Sequence, residues 1–198
     1  MAYPGQEQVI GADPLLEWID EHFLRPDPFA FEGLDFRTVA RTVSRELAVD
    51  ANGIFLIGSG AIGLSLNPKN TVNGSLRPYD DDSDLDLAVI SEFYFETAWR
   101  DLRRATQPIF AMTSIDERIR QNLRWQKKAL FDGAIVAHKL LPTLSFGSSW
   151  NLALIRAGST IAQMLDAERE LNVWIYRDYW SLRNYVAKSV VRCREEIV

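Results

Sequence analysis

The chain contains the stretch Phe55-Leu56-Ile57-Gly58-Ser59-Gly60-Ala61-Ile62-Gly63 and, further on, the stretch Asp82-Ser83-Asp84-Leu85-Asp86-Leu87-Ala88-Val89. The first stretch is a short apolar run ending in small residues, which predicts a buried strand followed by a tight turn. The second predicts a strand over Leu85–Ile90 with two acids at its start. A loop rich in Asn, Pro, Gly and Asp, residues 67–82, separates the two strands.

Asp84 and Asp86 are the candidate metal ligands and catalytic acids. Side chains alternate along a strand, so both carboxylates face one side while Leu85 and Leu87 face the core. Two carboxylates on one face can share a Mg²⁺ or Mn²⁺ ion, and without metal their repulsion raises at least one pKa. Phosphoryl transfer uses such a pair, because metal ions held by carboxylates neutralise nucleotide phosphates.

Gly58 and Ser59 are the candidate nucleotide-binding residues. A strand that ends in Gly-Ser and turns into a helix exposes backbone N–H groups at the helix N-terminus, and these groups can hold a phosphate. Gly58 allows close approach of the chain, and Ser59 adds a hydroxyl donor. The turn and the acidic pair together predict a site for a metal-bound nucleotide.

These two motifs resemble the nucleotidyltransferase superfamily, whose members include DNA polymerase beta, antibiotic nucleotidyltransferases and the minimal nucleotidyltransferases of toxin–antitoxin pairs. The signature of that family is an apolar strand, Gly-Ser, a spacer and Asp-apolar-Asp-apolar, here Ile57-Gly58-Ser59 and Ser83-Asp84-Leu85-Asp86-Leu87. The resemblance covers residues 53–91. It implies a palm-type α+β fold and Mg²⁺-dependent (or Mn²⁺-dependent) transfer of a nucleotide from an NTP to an acceptor hydroxyl.

The same family usually carries a third carboxylate on a later strand. The region 133–141 is ambiguous, since its pattern fits a strand, a helix, or one followed by the other. Asp132, beside a candidate strand at 133–137, is the best candidate for this third catalytic acid, and Asp166 and Asp178 are two others. Many family members also have an arginine where this chain has Ile62. A missing third acid affects catalysis more than it affects the fold or the binding of nucleotide.

A dinucleotide-binding oxidoreductase of the Rossmann type is an alternative, because Gly58, Gly60 and Gly63 fit the fingerprint G-x-G-x-x-G. Glu92 follows the next strand, where a ribose-binding acid is expected. However, the helix after the turn should run for several turns, and the polar loop from residue 67 cuts it short. The acidic pair is also unexplained by this alternative.

A third hypothesis is a catalytically weak nucleotide-binding or partner-binding component of a toxin–antitoxin or defence system. It is motivated by the unplaced third carboxylate. Under this hypothesis the chain binds a protein partner in addition to the NTP. In every case the acceptor stays open between RNA, protein side chains and small molecules. The charged pairs Lys127-Lys128 and Arg183, Lys188 are interpreted as solvated surface, with the triphosphate tail or an acidic acceptor as the alternative partner.

The composition is globular, with 47% hydrophobic and 25% charged residues in a chain of 198. A formal net charge of −5 argues against a surface built to coat nucleic acid, but it excludes neither a local basic groove nor a nucleotide substrate. Cys193 is the only cysteine, so no intrachain disulfide forms, which fits a reducing compartment. With no signal-peptide pattern and no apolar run long enough to span a bilayer, we expect a cytoplasmic protein without membrane association.

Apolar periodicity predicts helices over residues 15–23, 36–47, 95–105 and 148–166, and a strand over residues 171–176. Ser114 and Glu117 predict a capping box for a further helix, and Asp178 predicts the cap of the last one. The result is a single domain, residues 1–198, of the α+β class. We expect N-terminal helices, a palm core with a short mixed sheet over about 34–140, and a helical C-terminal half over about 141–198.

Overall fold

The computed structural model describes residues 3–72, 74–107 and 117–197. Within these ranges the fold is mixed α+β, as the sequence predicts, with a four-stranded mixed sheet and a small two-stranded sheet among helices. The predicted capping box includes Ser114, which lies outside the described residues, although a helix does begin at Glu117.

The described strands are β1 (Ile54–Ile57), β2 (Thr71–Val72), β3 (Ser75–Leu76), β4 (Leu85–Ile90), β5 (Ala134–Val136) and β6 (Leu171–Tyr176). The described α-helices are α1 (Gln6–Ile10), α2 (Leu15–His22), α3 (Phe36–Leu47), α4 (Ser59–Ile62), α5 (Glu92–Thr106), α6 (Glu117–Phe131), α7 (Gly147–Leu165) and α8 (Tyr179–Ile197). None of these helices is long and apolar enough to cross a membrane.

The larger sheet has the strand order β1-β4-β6-β5. β1 pairs with β4 in an antiparallel manner, β4 with β6 in parallel, and β6 with β5 in an antiparallel manner. β4 is therefore a central strand, with the strand that ends at Gly58 on one side and a strand from the C-terminal part of the chain on the other. β2 and β3 form a separate hairpin within the polar loop that precedes β4.

β6 lies inside the sheet although it comes from the predicted helical C-terminal half, residues 141–198. The strand itself was predicted correctly, but the predicted palm core of 34–140 is too short to contain the sheet. Val173 and Ile175 are fully buried. A strand with such an apolar, β-branched face is most stable with a hydrogen-bonded neighbour on each edge, and its position between β4 and β5 supplies both neighbours.

Different helices cover the two faces of β4. Leu85 and Leu87 belong to a core cluster that includes residues of α3 and α7. Ala88, on the other face, belongs to a cluster with residues of α2 and α8. Because side chains alternate, Asp84 and Asp86 lie on the face of α2 and α8, at the N-terminal end of the strand.

Several local predictions are confirmed by the helix ends. α3 has the predicted bounds, and the carboxylate of Asp35 caps it by accepting a hydrogen bond from the Arg37 amide at 3.0 Å. The predicted cap of α8 is also present, since the Asp178 carboxylate accepts from the Ser181 amide at 2.7 Å. Caps of this type satisfy amide groups that the first helical turn leaves without partners.

Candidate active site

The Gly58 turn lies directly against the Asp86 carboxylate. In the antiparallel pairing of β1 and β4, Ile57 stands opposite Asp86, so the chain turns at Gly58 immediately beside that side chain. Gly58 has φ +68° and ψ −153°, a region open in practice to glycine alone. A Cβ atom at this position would lie 2.8 Å from Oδ2 of Asp86. Both the backbone angle and the contact therefore require glycine here.

Ser59 is the first residue of α4, a single turn of helix that ends at Ile62 and has Gly63 as its C-cap. The first N–H groups of a helix have no partner within the helix, so the start of α4 offers donors next to the acidic pair. Ser59 lines the same cavity as Asp84 and Asp86. The structure thus brings together the four residues that the sequence predicted for nucleotide and metal.

The two acids differ in burial, and burial affects the charge of Asp86. Asp84 is exposed, whereas Asp86 is mostly covered. Burial raises the pKa of Asp86, and the neighbouring Asp84 raises it further; hydrogen bonds from Asn172 and Trp174 and the charge of Lys139 act in the opposite direction. Burial is the larger cause, and repulsion within the pair, on which the sequence argument relied, is the smaller one.

Asn172 occupies the strand position beside Asp86. The parallel register of β4 and β6 pairs these two residues, which therefore share one face of the sheet. The Asn172 amide Nδ2 donates to Oδ2 of Asp84 at 3.4 Å. Sequence reasoning missed Asn172, because its relevance depends on which strand pairs with β4. The one available signal was its place in a predicted strand, two residues before Trp174 on the same face.

The structure does not bring Asp132 to the acidic pair. Asp132 precedes β5, whose first residue Ala134 pairs with the last residue of β6, whereas Asp86 lies beside the second residue of β6. Asp132 is therefore at the opposite end of the sheet, where its carboxylate accepts a hydrogen bond from Lys188. The two other acids considered from sequence are the C-cap of α7, Asp166, and the N-cap of α8, Asp178.

A cavity of about 470 Å³ opens at the acidic pair and the Gly58-Ser59 turn. Its walls also contain three cationic and four aromatic residues: Lys69, Arg77, Arg192, Phe23, Trp125, Trp174 and Tyr185. Ligand sites of this size commonly combine apolar walls with a few convergent polar groups. The cavity thus combines the acidic pair with cationic side chains and aromatic rings.

Two of the four aromatic residues of the cavity, Trp174 of β6 and Tyr185 of α8, pack against each other. The rings of Trp174 and Tyr185 pack with 5.1 Å between their centroids, and Tyr185 also meets Tyr176 edge-on at 5.6 Å. Burial raises the pKa of Tyr185 to about 12, with Asp86 and Asp132 adding to the effect. Tyr185 therefore stays protonated at neutral pH and serves the cavity as an uncharged aromatic surface with a hydroxyl donor.

The loop before Asp84 is fixed by buried polar contacts. Ser83 is 2% exposed, and its hydroxyl accepts from Nη2 of Arg77 at 3.2 Å while donating to Oδ1 of Asp80 at 2.8 Å. Arg169 donates to the Asp80 carbonyl oxygen at 2.7 Å and to Oδ1 of Asp81 at 2.9 Å. The serine that the family signature favours thus orders the loop that presents the acidic pair.

The donor groups at this site fit a divalent cation of the hard type. Asp84, Asp86 and Asn172 offer only oxygen ligands of the kind that Mg²⁺ and Mn²⁺ accept in proteins. A cation would also offset the unfavourable burial of the Asp86 charge. Among residues 3–72, 74–107 and 117–197, no group of three or more His, Cys, Asp or Glu side chains is arranged to hold a metal. A metal here would depend on the two carboxylates and on the amide.

We expect Asn172→Asp to tighten the binding of Mg²⁺ and to destabilise the metal-free protein. A third carboxylate beside the pair adds repulsion, which should lower stability by up to about 1 kcal/mol and the unfolding midpoint by roughly 2–4 °C. Added Mg²⁺ should then raise the midpoint of this variant more than that of the wild type. Thermal unfolding with and without Mg²⁺ measures both effects.

Asn52→Asp is the matched control for this experiment. Asn52 is exposed and precedes β1 at the end of the sheet away from Asp86, because Ile54 pairs with Val89. We expect Mg²⁺ to shift the unfolding midpoint of the Asn52→Asp variant by the same amount as it shifts that of the wild type. Equal shifts of the unfolding midpoint in Asn172→Asp and Asn52→Asp would contradict the expectation that Asn172 faces a bound Mg²⁺.

Comparison with known proteins places the chain in no family: no family model matches it, and no curated protein and no solved structure matches it either. What the protein does must therefore be inferred from the residues around this cavity.

Proposed function

We propose that this protein is a Mg²⁺-dependent nucleotidyltransferase that moves a nucleotide from an NTP to an acceptor hydroxyl. The observation that carries the proposal is the contact between the Gly58 turn and the Asp86 carboxylate, with Asp84 on the same face. The turn and the acidic pair line one cavity, and this supports the proposal because a nucleotide with its bound metal needs donors for the phosphates close to ligands for the metal. The palm-type fold is part of the same proposal.

Each side chain of the site has a distinct task in this proposal. Asp84 and Asp86, with the amide oxygen of Asn172, would hold the metal, and the bound metal would supply positive charge against the charge that develops on the phosphates. The hydroxyl of Ser59 and the amides at the start of α4 donate to phosphate oxygens. The aromatic wall at Trp174 gives the base an apolar surface to pack against.

The first test is titration of ATP and GTP into the protein by calorimetry, with and without Mg²⁺. We expect binding of at least one nucleotide that requires the metal and that is lost in the Asp84→Ala/Asp86→Ala double variant. Circular dichroism of the variant checks that its fold is retained. Binding that is indifferent to the two acids, or no binding of either nucleotide, would remove the nucleotide from this cavity.

A second candidate function is a catalytically weak nucleotide-binding or partner-binding component of a toxin–antitoxin or defence system. The observation that favours it is Asn172, an amide that cannot act as a base, at the strand position beside the acidic pair. Asp132, the predicted third acid, is paired with Lys188 at the other end of the sheet. A metal-loaded protein that binds NTP yet releases no pyrophosphate with RNA, protein or small-molecule acceptors supports this candidate, whereas turnover excludes it.

The dinucleotide-binding alternative gains no support from the geometry. A Rossmann unit joins two parallel strands through a helix of several turns, whereas β1 and β4 are antiparallel and α4 is one turn long. The Gly58-Gly60-Gly63 fingerprint therefore lies in a different structural context. A flavin or nicotinamide absorption spectrum on the purified protein would be the result that revives this alternative.

A further inference from the structure

Helix α6 concentrates positive charge in a chain whose net charge is −5. Its cations are Arg118, Arg120, Arg124, Lys127 and Lys128, and its only acid is Glu117. The formal charge of this one helix thus opposes that of the whole molecule. Local concentration of this kind is the electrostatic footprint of a surface that meets a polyanion.

The cations on the outer face of α6 are exposed and in part unneutralised. Arg120 lies 3.8 Å from Glu117. Arg124, Lys127 and Lys128 are exposed and form no ion pair with any residue that the structure describes. Unpaired cations at the surface interact with phosphates without first breaking a protein contact.

Trp125 stands among these cations and is 71% exposed. It also lines the cavity that holds the acidic pair. Lys128, three residues after Trp125, lies on the same face of the helix as Trp125. Gln121, four residues before Trp125, lies on that face as well. An indole this exposed contributes little to the core, so packing does not explain it. The helix therefore presents an aromatic plane at the cavity, with Arg124 next to it in the chain and Lys128 on the same face of the helix.

We propose that α6 binds a single-stranded polynucleotide, with Trp125 stacked on a base at the cavity and Arg124 and Lys128 against the backbone phosphates. Proteins that bind single strands combine a positively charged track with exposed aromatic side chains on which bases stack. An acidic peptide would use the cations but not the indole plane, and a duplex offers no unstacked base. Binding of the strand does not depend on the proposed transferase activity. Only the further step, in which the strand would serve as the acceptor of the nucleotide, rests on the proposed function.

The test is fluorescence anisotropy of labelled strands of about 12 nucleotides, within the span of a single-strand site. An oligoribonucleotide and an oligodeoxyribonucleotide of the same sequence are titrated at several salt concentrations. We expect Arg124→Glu/Lys128→Glu to weaken binding about tenfold or more. It should also reduce the salt slope, the slope of the logarithm of the binding constant against the logarithm of the salt concentration, by about 1.4, because each phosphate contact to a single strand contributes about 0.7. Trp125→Ala should weaken it about tenfold with the salt slope unchanged. Binding of either strand supports the proposal, and the tighter one identifies the preferred sugar.

The matched control is Arg37→Glu/Arg45→Glu, which makes the same charge change on the exposed side of α3. We expect its affinity for the strand to be within about twofold of that of the wild type, because the changed residues are not on α6 and salt screens their charge. Equal weakening by both charge reversals, no effect of Trp125→Ala, or equal affinity for poly-glutamate or for the duplex would overturn the proposal. Unfolding midpoints of all variants confirm that each is folded.

Two further measurements separate this proposal from the proposed function. The Asp84→Ala/Asp86→Ala variant should still bind the strand, and the Arg124→Glu/Lys128→Glu variant should still bind NTP with Mg²⁺. Loss of strand binding in the aspartate variant would overturn the assignment to α6. Loss of NTP binding in the α6 variant would assign Arg124 and Lys128 to the nucleotide and likewise overturn it.

Discussion

In the absence of metal, the Asp86→Asn variant is expected to be more stable than the wild type. Its rate of nucleotide transfer is expected to be at least about a hundredfold lower. The loss in rate is that of removing one preorganised charge-stabilising group. The gain in stability, on the order of 1 kcal/mol, corresponds to roughly 2–4 °C in the unfolding midpoint. Thermal unfolding and pyrophosphate release measure the two quantities.

The gain in stability follows from the burial of Asp86. Because burial raises its pKa, the folded protein retains this proton to a higher pH than the unfolded chain does. Stability therefore falls as the pH rises through the window between the two pKa values, and the penalty is fully present above it. The amide of asparagine carries no such penalty. The difference in the free energy of unfolding between Asp86→Asn and the wild type should be largest at neutral pH and should vanish below the usual pKa of aspartate.

Asp84→Asn is the control that separates metal binding from burial. Asp84 is exposed, so its charge is already solvated and its removal should leave the metal-free midpoint nearly unchanged. If the wild type binds Mg²⁺ with NTP as proposed, the ligands stabilise it, and both variants should lose that stabilisation. A midpoint of Asp86→Asn at or below that of the wild type at neutral pH would contradict the argument, and so would unchanged transfer.

The Gly58→Ala variant is expected to be destabilised by about 3 kcal/mol and to lose metal-dependent nucleotide binding. At φ +68° and ψ −153° the backbone is strained for any residue with a Cβ atom. That atom would also lie 2.8 Å from Oδ2 of Asp86, so the carboxylate must move. The midpoint should fall by roughly 6–12 °C, and calorimetry with ATP or GTP and Mg²⁺ should show no binding.

Gly33→Ala isolates the backbone part of this effect. Gly33 has φ +80°, yet a Cβ atom there would meet nothing within 4 Å. We expect a loss of about 1 kcal/mol, the order of a residue forced into a left-handed conformation, with nucleotide binding intact. The Gly58→Ala protein could instead lose no more stability than the Gly33→Ala protein and still bind nucleotide. In that case the contact between the turn and Asp86 would not be required for function.

Elements with a strong local pattern could be predicted from the sequence. α3, β4 and β6 have the predicted bounds because each carries a complete helical or apolar strand pattern between clear end signals. The region 133–141 was ambiguous, and it folds as the three-residue strand β5 followed by short 3₁₀ turns. So short a run lacks the periods needed to separate a strand from a helix, and pairing with β6 decides its form.

The sequence by itself determined Gly58, Ser59, Asp84 and Asp86 as one constellation, because each half is local: a strand that ends in a turn, and two acids on one strand face. Only the tertiary structure decided that Asn172 stands beside Asp86 and that Asp132 does not. Pairing between β4 and β6 joins segments far apart in the chain, and no local pattern encodes the partner or the register. The same long-range packing placed Trp125 of α6 at the cavity.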